Sequence, residues 1–388
     1  MLVDPISWRS SYVAVALLLF ARAGLAQESS VLVTGLSLPY KLVMTSVGNL
    51  LVSEGGDAPN NGRISLVTKG GVRTSLIDGM PSGLAYPELT PIGPTGLALS
   101  RRTLYIAIGE GDSIRAGAAP NSIALNPAGV SSPLFHSVLR VDFDADVDLI
   151  REPFTLAKDQ HQSIFDGNSV SLKNATGQTA RIEMFLSFPP VTPDAASTYR
   201  HSDPFALALE PGEGPAWLYV VDAGQNTVLR VSTNFPRFKV LARFSPTPNG
   251  TPVGPPVVDA VPTGVVVVGN QVLVSMLSGF PFTPGQGRVM AVDLPSGSID
   301  PWINLLTSTT DIAVRRSASP SQFFVVGFSD NQMATPPAPG RLTMYSSPVG
   351  QVISNTLVTP TGVAVDPGSM FVYVAEFAAG RITRFTIP

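Results

Sequence analysis

The chain of 388 residues contains no cysteine. Disulfides are excluded, and with them the small stapled scaffolds that survive on little core of their own. Long apolar runs are scarce as well. The run YVAVALLLF, Tyr12 to Phe20, is too short to span a bilayer as a stable helix, and no later segment has the length and apolarity of a transmembrane helix. Basic excess is missing: 25 Lys and Arg stand against 28 Asp and Glu. Nothing over the whole surface therefore attracts nucleic acid or an anionic membrane. The histidines, His136, His161 and His201, have no metal-ligand spacing. No Gly-x-Ser-x-Gly elbow and no phosphate-binding glycine loop occurs. Long amphipathic helical patterns are absent after residue 27. What remains plentiful is turn chemistry, 35 Gly and 36 Pro, in a chain that is 44% apolar and so far from disordered.

The first 26 residues read as a secretory signal: Arg9 in a short polar start, the apolar run, then small Gly24 and Ala26 before Gln27. Asp4 is atypical of such a start. The expectation is a removed leader (1–26), a single domain over 27–388, and a secreted or periplasmic protein with no membrane span after processing. A core large enough to stand without staples is implied. Asn174-Ala-Thr and Asn249-Gly-Thr would be glycosylation sites if the source is eukaryotic.

Short runs of Val, Leu, Ile, Phe and Tyr recur between Gly, Pro, Asn and Asp clusters, which makes this an all-β chain. Superposed, they give a unit of three strands that occurs six times. The first strands are PYKLVM from Pro39, PTGLAL from Pro94, PFALAL from Pro204, PTGVVV from Pro262, TDIAV from Thr310 and PTGVAV from Pro360. Second strands follow, such as LLVSEGG, LYVVDAG and VYVAEF, and then third strands such as GRISLV, VLRVS and GRITRF. A period of about 50 residues with three or four short strands per unit predicts a β-propeller. SSVLVTGL, Ser29 to Leu36, resembles the outer strand VRTSLIDG of the first unit, so the N-terminal strand is expected to complete the last blade and close the ring. The interval from Pro94 to Pro204 is about twice the others. Six blades with an insertion at about 142–202 is the reading, because the hairpin in Ser169–Phe188 has no Pro-x-Gly start; seven blades is the alternative.

If the first strand runs down the channel and the second returns, the loops into first strands and the turns out of second strands share one face. Most of the extra length, Pro81–Ile92, Asp112–Ser137, Asp142–Ser202 and Leu277–Gln286, falls there, and rigid blades carrying variable loops make that face the place to seek a ligand. At its axis, the register places Tyr40, Thr95, Phe205, Thr263, Thr310 and Thr361 in one ring. The next ring holds Lys41 and Asp311 among otherwise small residues. One reading has the hydroxyls binding water and Lys41 pairing with Asp311; the other is a binding site for a small polar molecule. Second-strand ends give a further ring that includes Glu54, Asp222 and Glu376, with Glu110 close to it. Carboxylates from several blades suit calcium or acid–base work, whereas an acid before Asn or Gly also suits a tight turn. VDFDADVD, Val141 to Asp148, lacks the Gly and Glu of a calcium loop and reads as a strand with one buried face.

HSDPFALAL with YVVDAGQNTVLRV, and PTGVVVVGNQVLVSMLSGFPFTPGQGRV, resemble the ScyD/ScyE family of exported propellers related to NHL repeats. Gly279–Phe282 is the most specific segment, and the likeness covers most of residues 31–388. It implies export and a propeller fold, and no reaction. The long insertion and the missing Asp-Gly turns depart from the family pattern. The Glu that opens the first blade of calcium-dependent lactonases has no counterpart at Leu38-Pro39-Tyr40.

The leading expectation is a monomeric binding module for a small molecule, glycan or extracellular protein at the loop-rich face, with Phe282 and His201 added to the ring residues as candidates. The alternative is a hydrolase or lyase that uses Glu54, Asp222 or Glu376 with calcium or with His201. No cofactor is otherwise indicated.

Overall fold

Each repeat folds into four antiparallel strands, because its apolar runs are rich in β-branched residues and its breaks in turn formers. The computed structural model describes residues 28–387 apart from Glu88, 119–121, 193–199 and Glu213; the expected leader lies outside them. Six sheets are arranged as a β-propeller. The inner strands are Pro39–Met44, Pro94–Ser100, Pro204–Leu209, Pro262–Val268, Thr309–Arg315 and Pro360–Val365. The ring closes as expected: Ser29–Thr34 pairs antiparallel with Arg381–Thr386 and serves as the outer strand of blade six. The two ends of the chain thus share one blade.

The core is divided among the blade interfaces. Leu218 and Val220 pack toward blade two, while Tyr219 and Val221 of the same strand pack toward blade four. Both faces of each middle strand are buried. This is why second strands such as LYVVD read as unbroken apolar runs rather than as an alternation.

The alternative of seven blades is corrected by the pairing of the insertion. Thr179–Ser187 lies against Ser137–Phe143 as the outer strand of blade two, and Val170–Lys173 adds one strand beyond it. Without a Pro-x-Gly inner strand this hairpin has nothing to place at the axis. Upstream of it, Phe154–Thr155 extends blade one in parallel, and one short helix, Lys158–Phe165, follows.

A second correction concerns where this stretch lies. Asp148 accepts hydrogen bonds from the Thr45 hydroxyl (3.0 Å) and the Asn49 amide (2.8 Å), which belong to the turn between the first two strands of blade one. That turn is on the face opposite the long loops. The connection then climbs beside blade one to the other side, where His161 meets the Ser132 hydroxyl (3.0 Å) and the Gly79 carbonyl (2.9 Å), so it touches both faces before its end returns to the loop-rich one. The acids of VDFDADVD are all engaged: Asp142 with Arg140, Asp144 with Thr179, Asp146 in capping the short turn Val147–Leu149, and Asp148 as above. No helix among the described residues is long and apolar enough to cross a membrane.

Candidate functional site

The axis is built from one irregularity repeated in every blade. Each inner strand has a bulge just after its first residue, between Pro39 and Leu42, Pro94 and Leu97, Pro204 and Ala206, Pro262 and Gly264, Thr309 and Asp311, and Pro360 and Gly362. A bulge leaves one residue unpaired and re-aims its side chain. That residue is the predicted ring of Tyr40, Thr95, Phe205, Thr263, Thr310 and Thr361.

The ring threonines do not wait for water. Thr95 donates to the Pro204 carbonyl (2.9 Å), Thr263 to Thr309 (2.9 Å), Thr310 to Pro360 (2.8 Å) and Thr361 to Pro39 (2.8 Å), each reaching the next blade. The Pro-Thr-Gly signature thus has a mechanical reading. Pro supplies a carbonyl and no N–H to leave unpaired, Thr supplies the tie, and Gly lets the next strand come close. A Cβ on Gly96 would lie 2.8 Å from the Ala206 Cα, and one on Gly362 2.6 Å from the Tyr40 carbonyl oxygen.

Below this ring, Lys41 and Asp311 pair as expected at 3.3 Å. The Lys41 ammonium also donates to the Thr310 and Thr361 carbonyls (2.8 and 2.9 Å), and Asp311 accepts from the Val363 amide (3.0 Å). Burial pushes Lys41 down and Asp311 up from their ordinary pKa values, and each charge partly offsets the shift of the other. Both side chains are consumed by the scaffold.

The second-strand acids lie at one register, with Glu54 opposite Pro39, Asp222 opposite Pro204 and Glu376 opposite Pro360. Their partners differ. Glu54 is held by Arg73 (2.8 and 2.9 Å), the Ser65 hydroxyl and the Ser37 amide; Glu376 by Arg381 (2.7 and 2.8 Å), the Thr383 hydroxyl and the Val358 amide. Asp222 has no arginine. It accepts from the Ser202 hydroxyl, the Asp203 amide (2.8 Å) and the Gln225 amide (3.0 Å), and burial pushes its carboxyl up from the ordinary range. Among the described residues no three His, Asp or Glu side chains are grouped to hold a metal ion.

Above the ring opens a cavity of about 760 Å³. Its floor includes Tyr40, Phe205, Thr263, Thr310 and Thr361, and its walls come from the loops into inner strands and out of second strands, the face expected to hold a ligand. Tyr86 and Pro87 come from the loop before blade two, Phe280 and Phe282 from blade four, Phe328 from blade five, and Phe377 from blade six. Tyr40 packs edge-on against Phe377 (centroids 5.0 Å apart) and Phe205 (5.9 Å), and its hydroxyl donates to the Pro91 carbonyl (2.9 Å).

One wall is ionisable. Glu110, just past the second strand of blade two, pairs with His201 Nε2, just before the inner strand of blade three; the Glu110 amide donates to Asp203 (3.2 Å). Burial alone would lower the His201 pKa, but the Glu110 carboxylate, with Asp203 and Asp222 nearby, holds it up at about 9. Burial, reinforced by the Glu110 charge, raises Asp203 to about 8. The segment carrying both residues is fixed from behind. His136 Nδ1 contacts the Ser202 carbonyl, its Nε2 meets the Ser113 hydroxyl (2.7 Å), and Asp222 grips Ser202 and Asp203. Burial holds His136 down at about 4, so it is neutral there.

Of the predicted candidates, Tyr40, Glu110, His201, Phe205, Thr263, Phe282 and Thr361 line the cavity. Lys41, Thr95, Asp222 and Asp311 support its floor and wall, and Glu54 and Glu376 are locked into their own blades. Sequence reasoning missed Asp203, Asp259, Phe280, Phe328 and Phe377 as site residues. Asp203 stands in the quoted HSDP string, and Phe280 in Gly279–Phe282, so both were within reach. Asn226, in the turn after Asp222, donates to Asp259 (2.8 Å) and accepts from the Val261 amide (2.9 Å), which ties blade three to the loop entering blade four. Asn174 is buried, with its amide nitrogen bonded to the Glu152 carbonyl (3.0 Å) and Gln178 (3.1 Å); the amide nitrogen of Asn249 is likewise bonded, to Val253 and Pro255 (2.7 Å each).

No protein-family model and no curated protein matches the chain. Solved structures do match it. The PQQ-bound aldose sugar dehydrogenase of Streptomyces coelicolor aligns with a TM-score of 0.50 at 15% identity, over 93% of this chain and 98% of that one. A Thermus thermophilus protein provisionally described as an oxidoreductase (glucose dehydrogenase) aligns at 0.47 and 14% identity, over 92% and 99%. A chain of a nidogen/laminin complex aligns at 0.45 and 10% identity, over 88% and 93%. Likeness at this level concerns the fold alone.

Proposed function

We propose that this protein is an exported binding module of the ScyD/ScyE type that takes one small amphipathic molecule, as a monomer, in the cavity above its axis. The observation that carries the reading is the cavity: about 760 Å³, walled by aromatic side chains, with a few convergent polar groups on one side. Drug-sized ligands occupy sites of this size and composition. The Gly279–Phe282 segment, the most specific part of the family resemblance, supplies part of the wall.

The sugar dehydrogenase of S. coelicolor binds PQQ, a tricarboxylate quinone. That cofactor does not fit here. Among the described residues no Lys or Arg lines the cavity, its acids are Glu110, Asp203 and Asp259, and the His201 charge is already paired with Glu110.

A second reading, a hydrolase or lyase, is favoured by one observation: Asp203, held up at about 8, is protonated at neutral pH and lines the cavity as a proton donor.

The test is a thermal-melt screen of purified protein against amphipathic metabolites, since a ligand specific for the folded state raises the melting temperature by mass action. Hits should stabilise the wild type and lose their effect in Phe282→Asp. A screen without hits, or hits that stabilise the variant equally, defeats the binding reading. Turnover of a hit that Asp203→Asn abolishes would establish the second.

A further inference from the structure

We infer that the cavity selects a cation: an ammonium group carried on an apolar body. The inference rests on the binding reading above and names the chemical class of its ligand.

The wall is aromatic and mainly acidic. Tyr40, Tyr86, Phe205, Phe282, Phe328 and Phe377 present rings to the cavity, and its ionisable groups other than Tyr are Glu110, Asp203, Asp259 and His201. Glu110 and Asp203 are more than nine-tenths buried, at 5% and 8% exposure. Their hydrogen bonding is incomplete. Glu110 meets His201 through Oε2, and Oε1 accepts from no described residue; Asp203 accepts the Glu110 amide at Oδ1, and Oδ2 accepts from none. Both side chains are mostly buried, and their two remaining oxygens are left to whatever fills the cavity.

An ammonium group is the partner that fits. It carries donors only, so it can serve both open oxygens at once, and its charge is stabilised by the negative faces of the surrounding rings. A hydroxyl has one donor to give. A carboxylate would be repelled by the Glu110 charge and, on a wall with no Lys or Arg among the described residues, could accept only from the Asp203 proton and His201. A cation seated against Asp203, held up at about 8 by burial and the Glu110 charge, would also drive its proton off.

Matched probes separate these outcomes: phenethylamine, phenethyl alcohol and hydrocinnamate, measured by titration calorimetry at neutral pH and low salt. The amine should bind about tenfold or more tightly than the alcohol, and hydrocinnamate should not saturate the site. Amine binding should release protons, seen as heats that differ between phosphate and Tris buffers. Asp203→Asn should weaken the amine about tenfold while the alcohol changes far less, and an unaltered far-UV circular dichroism spectrum shows that the variant is folded. An alcohol that binds as tightly as the amine overturns the cation inference and leaves the binding reading standing. If none of the three binds, both fall.

Discussion

Lys41 of blade one reaches Asp311 of blade five at 3.3 Å, and its other donors go to carbonyls of blades five and six. One side chain thus links three blades at the closure of the ring. Removing either partner leaves the other charged, buried and unpaired, a loss typically of about 3–5 kcal/mol. Lys41→Met and Asp311→Asn should each destabilise by that order in urea unfolding. Lys41→Met combined with Asp311→Leu should recover much of it, because an apolar pair leaves no charge behind. Single variants within about 1 kcal/mol of wild type would show that the pair is solvated in practice.

The threonine ties predict a finer effect. Thr361→Val keeps the shape of the side chain and removes the donor to the Pro39 carbonyl, so it should cost about 1–2 kcal/mol. Thr361→Ser keeps the donor and should cost less. The order Val worse than Ser, measured by denaturant unfolding, checks the tie; the reverse order would mean that packing of the methyl group matters more.

Whatever repeats in every blade was legible in the sequence. Superposing the units placed Glu54, Asp222 and Glu376 at one register and Tyr40 with the threonines in one ring, because each blade must present the same position to the same neighbour. The cavity wall was less legible for the same reason. Glu110 and His201 sit on different blades with the insertion between them, and their pairing has no copy elsewhere in the ring. Asp203 likewise belongs to a loop that differs from blade to blade, whereas Phe328 and Phe377 stand at one register, directly after the second strands of blades five and six, and could have been read from the repeat. The insertion misled because its C-terminal strand completes blade two after a long detour past the opposite face and along the outer edge of blade one, and no periodicity marks such a return.

Register did not decide role, and a pair of substitutions should show it. Asp222 accepts two backbone amides at Oδ1 and a freely rotating hydroxyl at Oδ2. Asn preserves the first oxygen and can donate to Ser202, so Asp222→Asn should change stability by less than about 1 kcal/mol, while Asp222→Ala should cost about 2–3. Glu376→Gln breaks a bidentate pair with Arg381 at a fully buried carboxyl and should cost about 2–3 kcal/mol. Equal costs for Asp222→Asn and Glu376→Gln would contradict the different partner sets. A silent Asp222→Asn answers the question of that acid: it holds the Ser202–Asp203 segment in place and turns the chain.

The ionisable wall predicts a pH dependence of stability. His201, held up at about 9 from an ordinary 6.5, binds its proton more tightly folded than unfolded, so its contribution is complete below 6.5 and fades as pH rises toward 9. Asp203, raised to about 8 from 3.8, acts in the same direction between those values. His136, lowered to about 4, acts in the opposite direction, but only below 6.5. The groups facing His201 are Glu110, Asp203, Asp222 and His136, and from 6.5 to about 8 the two raised groups lower stability together with no opposition from His136. The melting temperature should therefore fall across that window. In Glu110→Gln the His201 proton loses its main support, and the fall should become shallower. A flat profile in the wild type, or the same slope in both proteins, would show that the Glu110–His201 pair does not carry a buried proton.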